Sequence, residues 1–490
     1  MQDCILAIDQ GTTGSTALVI DAQMNLLGRA NVEFSQHYPQ AGWVEHDPDE
    51  IWESVLKAIA QALKVSGIEG GRIAAIGITN QRETTLIWDR ANGQPLAPAI
   101  VWQDRRTAPL CERLQKKGSE ISKRTGLRLH PYFSATKIQW LLDHHEGARP
   151  RAQKGELCFG TINSYLVYRL TGQGVHVTDV SNASRTLLMN LKNLEWDPVL
   201  LKIFNIPAAL LPRIASCSEQ YGVTKGVEGL PNGIPITGMA GDQQAALFGQ
   251  ACFEVGDVKC TYGTGSFLLM NTGQKPVFSK SGMLTTVAWQ LKGKTTYALE
   301  GSAFIAGAAI QWLRDNLKII PNAAAVEELA LTVSDNGGVT FVPALVGLGA
   351  PYWKTEAHGL LSGLSRATQN GHIARAVLEG IAFLQYDILQ AMSRDLGKKL
   401  KTLKVDGGAS VNNLLMQFQA DILGVEIVRP RQVETTALGA AFLAGLGVGL
   451  WKDLEDISIA WKEAKRFRPE MPKAEQKRRL EQWHTAVKKA

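Results

Sequence analysis

The chain has 490 residues, 45% hydrophobic and 20% charged, and 52 basic against 46 acidic side chains leave a net charge of +6. This balance excludes a disordered or collagen-like chain, and the length accommodates about two or three domains with cores of their own. Six surplus positive charges make a weak field, and no basic stripe interleaved with aromatics marks a nucleic-acid surface. The six cysteines (Cys4, Cys111, Cys158, Cys217, Cys252, Cys260) form no C-x-x-C pair, and Met1-Gln2-Asp3 opens no basic-then-apolar leader. Free thiols and a reducing cytoplasm are expected.

In chain order, residues 4–8 are an apolar run ending in Asp9-Gln10-Gly11-Thr12-Thr13-Gly14, and residues 16–20 are a second. The pattern predicts strand, tight Gly/Thr turn, strand. Helical patterns at 48–65 and 105–115 alternate with strands predicted at 73–78, 84–88 and 234–238, an α/β architecture. Asp242-Gln243-Gln244-Ala245-Ala246-Leu247 reads as a helix closing the first half. Residues 258–262, Gly263-Thr264-Gly265-Ser266 and 267–270 then repeat the opening pattern. A duplicated fold would set the two turns facing each other across a cleft. A third segment, 403–405, runs into Asp406-Gly407-Gly408-Ala409, with a helix from Asn412 through Asp421. The domain boundary is predicted at residues 247–255, dividing the chain into 1–250 and 251–490. The longest apolar run, 437–451, is interrupted by Gly439, Gly445, Gly447 and Gly449 and falls short of the roughly 20 residues that span a bilayer. It predicts a buried helix and no membrane insertion. The basic tail at 462–489 reads as a solvated helix face.

Several familiar sites are missing. Gly293-Lys294-Thr295 has Ala288 where the first glycine of G-x-x-x-x-G-K-[ST] would fall. No G-x-G-x-x-G follows a strand and opens a helix, there is no H-E-x-x-H, and only His144-His145 are adjacent among nine histidines. A P-loop enzyme, a Rossmann dehydrogenase and a zinc hydrolase are thereby disfavoured. The features present suit a nucleotide held between two hairpin turns. Gly and Thr amides in a tight turn form an anion nest, and Thr hydroxyls add donors. Asp9, ending the first strand, is placed to hold Mg²⁺ through water, because this ion surrenders its hydration reluctantly. Phosphoryl transfer asks mainly for positioning, charge neutralisation and a base for the acceptor.

Two longer stretches carry a specific resemblance: Tyr132-Phe133-Ser134-Ala135-Thr136-Lys137-Ile138-Gln139-Trp140, and Gly359 through Gly363-Leu364 and His372 to Glu379. On these the chain resembles the FGGY carbohydrate kinases of the actin and sugar-kinase superfamily. The resemblance implies two actin-like (ribonuclease H-like) α/β domains with a central nucleotide and substrate cleft. Gly42-Trp43-Val44-Glu45-His46-Asp47, residues 78–85 and residues 240–250 point to members that phosphorylate glycerol with ATP. Carried over, the resemblance implies that Arg82, Glu83, Tyr132, Asp242 and Gln243 bind glycerol's hydroxyls, with Trp102 and Phe267 against its carbons. Unpaired buried hydroxyls are costly, so a triol needs such a set of oriented partners. Asp242 is the expected general base and Asp9 the Mg²⁺ residue. Thr12, Thr13, Gly14, Gly263, Thr264, Gly307, Gln311, Gly408 and Asn412 are the expected ATP/ADP residues, and a homo-oligomer, dimer or tetramer, is implied. At Gly408 a backbone lying close to the adenosine ring would tolerate no side chain. The chain departs from the family at Gly14 and Thr16, where such kinases often carry Ser and Arg. It also lacks the Arg (Gly233 stands there) and the His through which some relatives are controlled by fructose 1,6-bisphosphate or phosphorylation, so neither control is expected.

Overall fold

The computed structural model describes residues 2–490. Thirteen strands form one central sheet. The first half supplies β1 (Cys4–Gln10), β2 (Gly14–Asp21), β3 (Leu26–Glu33), β4 (Ile73–Asn80), β5 (Ser218–Val223) and β6 (Pro235–Gly241). The second half supplies β7 (Val258–Tyr262), β8 (Ser266–Gly273), β9 (Leu284–Leu291), β10 (Lys294–Ala303), β11 (Thr402–Asp406), β12 (Glu426–Pro430) and β13 (Glu463–Phe467). Their spatial order is β13-β12-β11-β7-β8-β10-β9-β5-β6-β4-β1-β2-β3.

The duplication expected from the repeated turns is present. β1 folds back antiparallel onto β2 and β2 onto β3, while β4 runs parallel to β1 and β6 parallel to β4. In the second half β7 folds back onto β8 and β8 pairs antiparallel with β10, while β11 runs parallel to β7 and β12 parallel to β11. The third Gly-rich segment also falls as expected, following β11 and leading into a helix at Asn413–Leu423.

The helices lie in layers on the sheet: α1 (Pro48–Ser66), α2 (Ser134–His144), α3 (Asp242–Gly249), α4 (Gly307–Asp315), α5 (Asn370–Leu396), α6 (Asn413–Leu423), α7 (Thr435–Gly447) and α8 (Lys473–Lys489). Alternate residues of β1 serve two cores: Ile5 and Ala7 join the α3 and α7 side, and Cys4, Leu6 and Ile8 the α1 side, as the two-residue period of a strand requires. The start of α1 is set by Asp47, whose side chain accepts the Asp49 amide at 2.8 Å, with Pro48 in the first turn. All residues of α7 from Ala437 to Gly445 are buried. Although α7 comes late in the chain, it packs on α3, β1, β4 and β6 of the first half. The approach requires glycine on both partners. A Cβ on Gly439 would sit 1.8 Å from the Ala245 carbonyl oxygen, and one on Gly249 1.9 Å from that of Thr435.

Two expectations are corrected. The helix predicted at 105–115 is formed only over Ala108–Arg113. The tail at 462–489 is not one solvated helix. Glu463–Phe467 is the edge strand β13, antiparallel to β12, and α8 buries Trp483, Ala486 and Val487, with Trp483 stacked on Phe383 at 5.1 Å. The strand hides in a basic run because edge strands carry charge on their exposed side chains. All six cysteines are buried and unpaired. Among the described residues no helix is long and apolar enough to cross a membrane.

Candidate active site

Three parallel strands end at one level. Asp9 of β1 is level with Thr79 of β4, and Thr79 with Ala240 of β6; one residue on, Gln10, Asn80 and Gly241 are aligned likewise. Asp9, Arg82-Glu83 and Asp242 therefore emerge together at the carboxyl ends of the strands, the edge where open α/β sheets bind ligands. A cavity of about 440 Å³ opens there, lined by Thr12 from the first Gly/Thr turn and Thr264 and Gly265 from the second. Arg82, Glu83, Trp102, Tyr132, Asp242, Gln243 and Phe267 line it as well. Two turns some 250 residues apart and the whole predicted acceptor set thus share one space.

Arg82 and Glu83 are buried, with side chains 2% and 1% exposed, so the pair is no surface ion pair. The Arg82 guanidinium reaches Asp242 Oδ1 from Nε at 3.1 Å, Gln244 Oε1 from Nη1 at 3.2 Å, and both carboxylate oxygens of Glu300. Its aliphatic stem crosses Gly241, where a Cβ would lie 2.7 Å from Arg82 Cδ and Cγ. Glu83 holds a left-handed backbone (φ 62°), a conformation a side-chain-bearing residue keeps only when its surroundings impose it. Here its carbonyl accepts Thr85 Oγ1 at 2.9 Å and Ser134 Oγ at 3.1 Å, and Arg185 Nε donates to its carboxylate at 2.6 Å. Arg185 Nη2 donates to Glu300 Oε1 at 2.8 Å. Burial opposes the Arg82 charge, but Glu300 and Glu83 outweigh it and hold the guanidinium above its ordinary pKa. Burial raises Glu83, while Arg82 and Arg185 pull against it. For Glu300 the two guanidiniums win over burial and the carboxyl is lowered.

Asp242 is the first residue of α3 and accepts the Gln243 amide at 2.7 Å, so it faces the positive end of a helix. Its side chain is 29% exposed. Burial raises its pKa, against Arg82 and Lys259. Half-buried Asp9 is pushed up to about 8 by burial and by the charges of Asp242 and Glu434, with Arg29 the counterweight. The three aromatics are half-buried, and Tyr132 also packs against the core around Phe133 and Ile138. Trp102 stands edge-on to Tyr132 (5.6 Å) and Phe267 (6.4 Å), and its Nε1 donates to Thr12 Oγ1 at 2.9 Å, joining the apolar wall to the first turn.

Of the remaining predicted nucleotide residues, Thr13, Gly14, Gly263 and Gly307 belong to or touch the turns, and none of the remainder is among the residues that line the cavity. Gly14 closes the first, its carbonyl accepting the Gly11 amide at 2.9 Å, and Thr13 is exposed beside it. Gly263 closes the second onto Gly265, and the start of α4 docks there. The Gly307 amide donates to the Gly263 carbonyl at 2.9 Å, and Gln311 lies one turn further on, exposed. Asn412 caps α6, accepting the Leu415 amide at 2.8 Å. Within the chain's own packing, Gly407 is the glycine the loop demands: its φ is 83° and a Cβ would lie 2.5 Å from the Tyr262 carbonyl oxygen. Gly408 is exposed with open space where a Cβ would stand. Thr16 is buried, its hydroxyl accepting Asn31 Nδ2 at 2.9 Å.

Residues 4–249 match the N-terminal domain of the FGGY family of carbohydrate kinases, and residues 258–448 match its C-terminal domain. The chain belongs to this family. The glycerol kinase of Myxococcus xanthus is 59% identical over 99% of both chains, and glycerol kinase 2 of Thermotoga maritima is 58% identical over 99% of this chain and 98% of its own. Among solved structures, Plasmodium falciparum glycerol kinase with ADP superposes with a TM-score of 0.93 at 40% identity, over 100% of this chain and 98% of its own.

Sequence reading missed four charged residues of this family member. Arg185 and Glu300 complete the buried ion network. Lys259 Nζ donates to Gln243 Oε1 at 2.5 Å and Thr261 Oγ1 at 2.8 Å. Lys137, quoted only as part of a motif, donates to the Tyr132 carbonyl at 2.9 Å and to those of Pro131 and Phe133, tying down the loop that carries Tyr132. The available signal was a single charge inside an apolar or small-residue run, as in Tyr297-Ala298-Leu299-Glu300-Gly301. Such a charge has to find a partner.

Proposed function

We propose that the chain is an ATP-dependent glycerol kinase that makes sn-glycerol 3-phosphate and releases ADP. The observation that carries this reading is the cavity in which both Gly/Thr turns meet Asp242 and the Arg82, Glu83 and aromatic set. In the reaction a glycerol hydroxyl oxygen attacks the γ-phosphorus, the bond from that phosphorus to the β–γ bridging oxygen breaks, and Asp242 takes the hydroxyl proton. Arg82, Glu83, Tyr132 and Gln243 orient the hydroxyls, and Trp102 and Phe267 shield the carbons from water. Thr12, Thr13, Gly14, Gly263 and Thr264 cradle the phosphates, and Gly307, Gln311, Gly408 and Asn412 flank the nucleoside.

The surroundings of Asp9 fit Mg²⁺. Its carboxylate faces two like charges against one guanidinium, so a cation relieves it. The described residues contain no cluster of three or more candidate side-chain ligands, as suits an ion that keeps its waters and binds through one carboxylate and the substrate phosphates. When bound, Mg²⁺ neutralises charge on those phosphates. The same reading assigns 1–250 and 251–490 to two domains, places the enzyme in the cytoplasm and makes it a homo-oligomer, which light scattering after size exclusion measures.

The test is ADP release from ATP and Mg²⁺ with glycerol beside pentuloses, erythritol and gluconate, for wild type and Asp242→Asn. Glycerol turnover should dominate, and the substitution should cost about 10²- to 10⁴-fold in kcat, the usual worth of a positioned base, with ADP affinity kept. Turnover with another acceptor alone would overturn the glycerol assignment.

A further inference from the structure

We propose that Arg185 and Glu300 are positioning residues for the acceptor: their paired charges hold Arg82 and Glu83 in the orientation that receives its hydroxyls. The inference rests on the reading that Arg82 and Glu83 bind the acceptor. It comes from how four buried charges are shared. Arg82 and Glu83, neighbours in sequence, barely touch, with Arg82 Nε 3.9 Å from Glu83 Oε1, beyond hydrogen-bond range. The Glu83 carboxylate is oriented by Arg185, at 2.6 Å. The Arg82 fork is oriented by Glu300, which takes its Nη1 and Nη2 and also accepts Arg185 Nη2 at 2.8 Å. Two guanidiniums and two carboxylates, none more than 2% exposed, balance in charge.

Each outer member does something its inner partner cannot do alone. Without Glu300, the terminal nitrogens of Arg82 keep only Gln244 Oε1, while Nε still has Asp242. The contact already made from Nε to Asp242 at 3.1 Å would then be the guanidinium's shortest to a carboxylate, drawing the fork towards that residue and away from the acceptor's hydroxyls. Without Arg185, Glu83 loses the bond that points it. Arg185 also lies behind the Tyr132 and Phe133 rings, its guanidinium carbon 5.8 and 5.2 Å from their centroids. Its Nη1 has no hydrogen-bond partner among the described residues. The device joins the two halves of the fold: Glu300 stands on β10, paired in register with β8, where Ser302 is opposite Phe267 and both line the cavity.

The experiment measures KM for glycerol and for ATP, kcat and Tm in Arg185→Lys, Glu300→Gln and the double variant Arg185→Met/Glu300→Gln. Lysine keeps the charge but cannot bridge two carboxylates as a planar fork does. The double variant removes one charge of each sign, restoring the balance that a single removal breaks. In Arg185→Lys the KM for glycerol should rise about 10- to 100-fold, the worth of a charge-assisted hydrogen bond, with KM for ATP within about twofold. The double variant should recover Tm relative to Glu300→Gln while its glycerol KM stays raised. Recovery of glycerol KM together with Tm would mean a purely structural role and overturn the proposal, as would equal rises in both KM values. Should Glu300→Gln fail to fold, Arg185→Lys and the double variant decide. If wild type uses another acceptor only, the glycerol assignment fails, and the same variants are read with that acceptor.

Discussion

At the residue scale the site works by balancing buried charge. Asp9, raised to about 8 by burial and by Asp242 and Glu434, is protonated at neutral pH without a cation. Because a metal binds the deprotonated carboxylate, apparent Mg²⁺–ADP affinity should climb as pH rises towards 8 and level off above it. Calorimetry in buffers of different ionisation enthalpy should show proton release below pH 8 that is smaller in Asp9→Asn. Equal release in the two proteins would separate Asp9 from the ion. Lys137 acts on a different face of the site. Burial lowers its pKa to about 8, and its ammonium donates to three carbonyls of the Tyr132 loop. Lys137→Met takes the ammonium from the Pro131 and Tyr132 carbonyls, while the Phe133 carbonyl, just ahead of α2, still receives the first helical amide, so a stability loss of about 1–3 kcal/mol is expected for each carbonyl left without a partner. Denaturant unfolding measures that loss, and a raised glycerol KM should accompany it as Tyr132 loosens.

At the element scale the tightest joint is the crossing of α3 and α7, where Gly249 and Gly439 each lie against a partner's carbonyl oxygen. The contacts fall at Ala245 and Gly249, in the middle and at the end of the helix that Asp242 opens. Gly439→Ala should destabilise by at least about 1–3 kcal/mol, the cost of overpacking a tight core, seen as a lower urea midpoint. It should also lower kcat, because α3 carries Asp242, the proposed base. An unchanged midpoint would show that the two helices can part without cost. The turn–strand elements themselves were legible, since β1–β2 and β7–β8 announce themselves by apolar runs around Gly/Thr turns. β13 was not, because four of its five residues are exposed and no apolar alternation marks it.

At the scale of the whole molecule, burial sorts the histidines. His46, His130 and His176 are lowered to about 4, chiefly by burial, and His484 is raised by its hydrogen bond to Asp387. For the lowered group the unfolded chain takes up protons near pH 6.5 that the native state refuses until about 4. Its contribution to stability is therefore full above 6.5 and lost as pH falls towards 4. Buried Glu83, Asp179 and Glu379 are raised mainly by burial and carry the opposite sign, so the clean test is a difference. Between pH 6.5 and 4, wild type should lose stability faster than His176→Gln, which cannot ionise. By NMR, His484 should titrate above 6.5 and the other three rings should stay neutral at pH 5.

By itself the sequence determined the strand–turn–strand units, their repetition and the residues that end at the sheet's edge. Local apolar patterning, Gly/Thr turns and a terminal Asp are properties of neighbours in the chain, and Thr12, Thr264, Asp9 and Asp242 were legible for that reason. Arg82 and Glu83, proposed to hold the acceptor, were legible by resemblance, but the dipeptide alone reads more readily as a surface ion pair. Only the tertiary structure decided their partners. Arg185 is 102 residues from Glu83, and Glu300 is 218 from Arg82. Which buried charges meet depends on the parallel order of β1, β4 and β6 and on where β10 lies against them. That arrangement follows from burial of the whole sheet, so no window of sequence contains it.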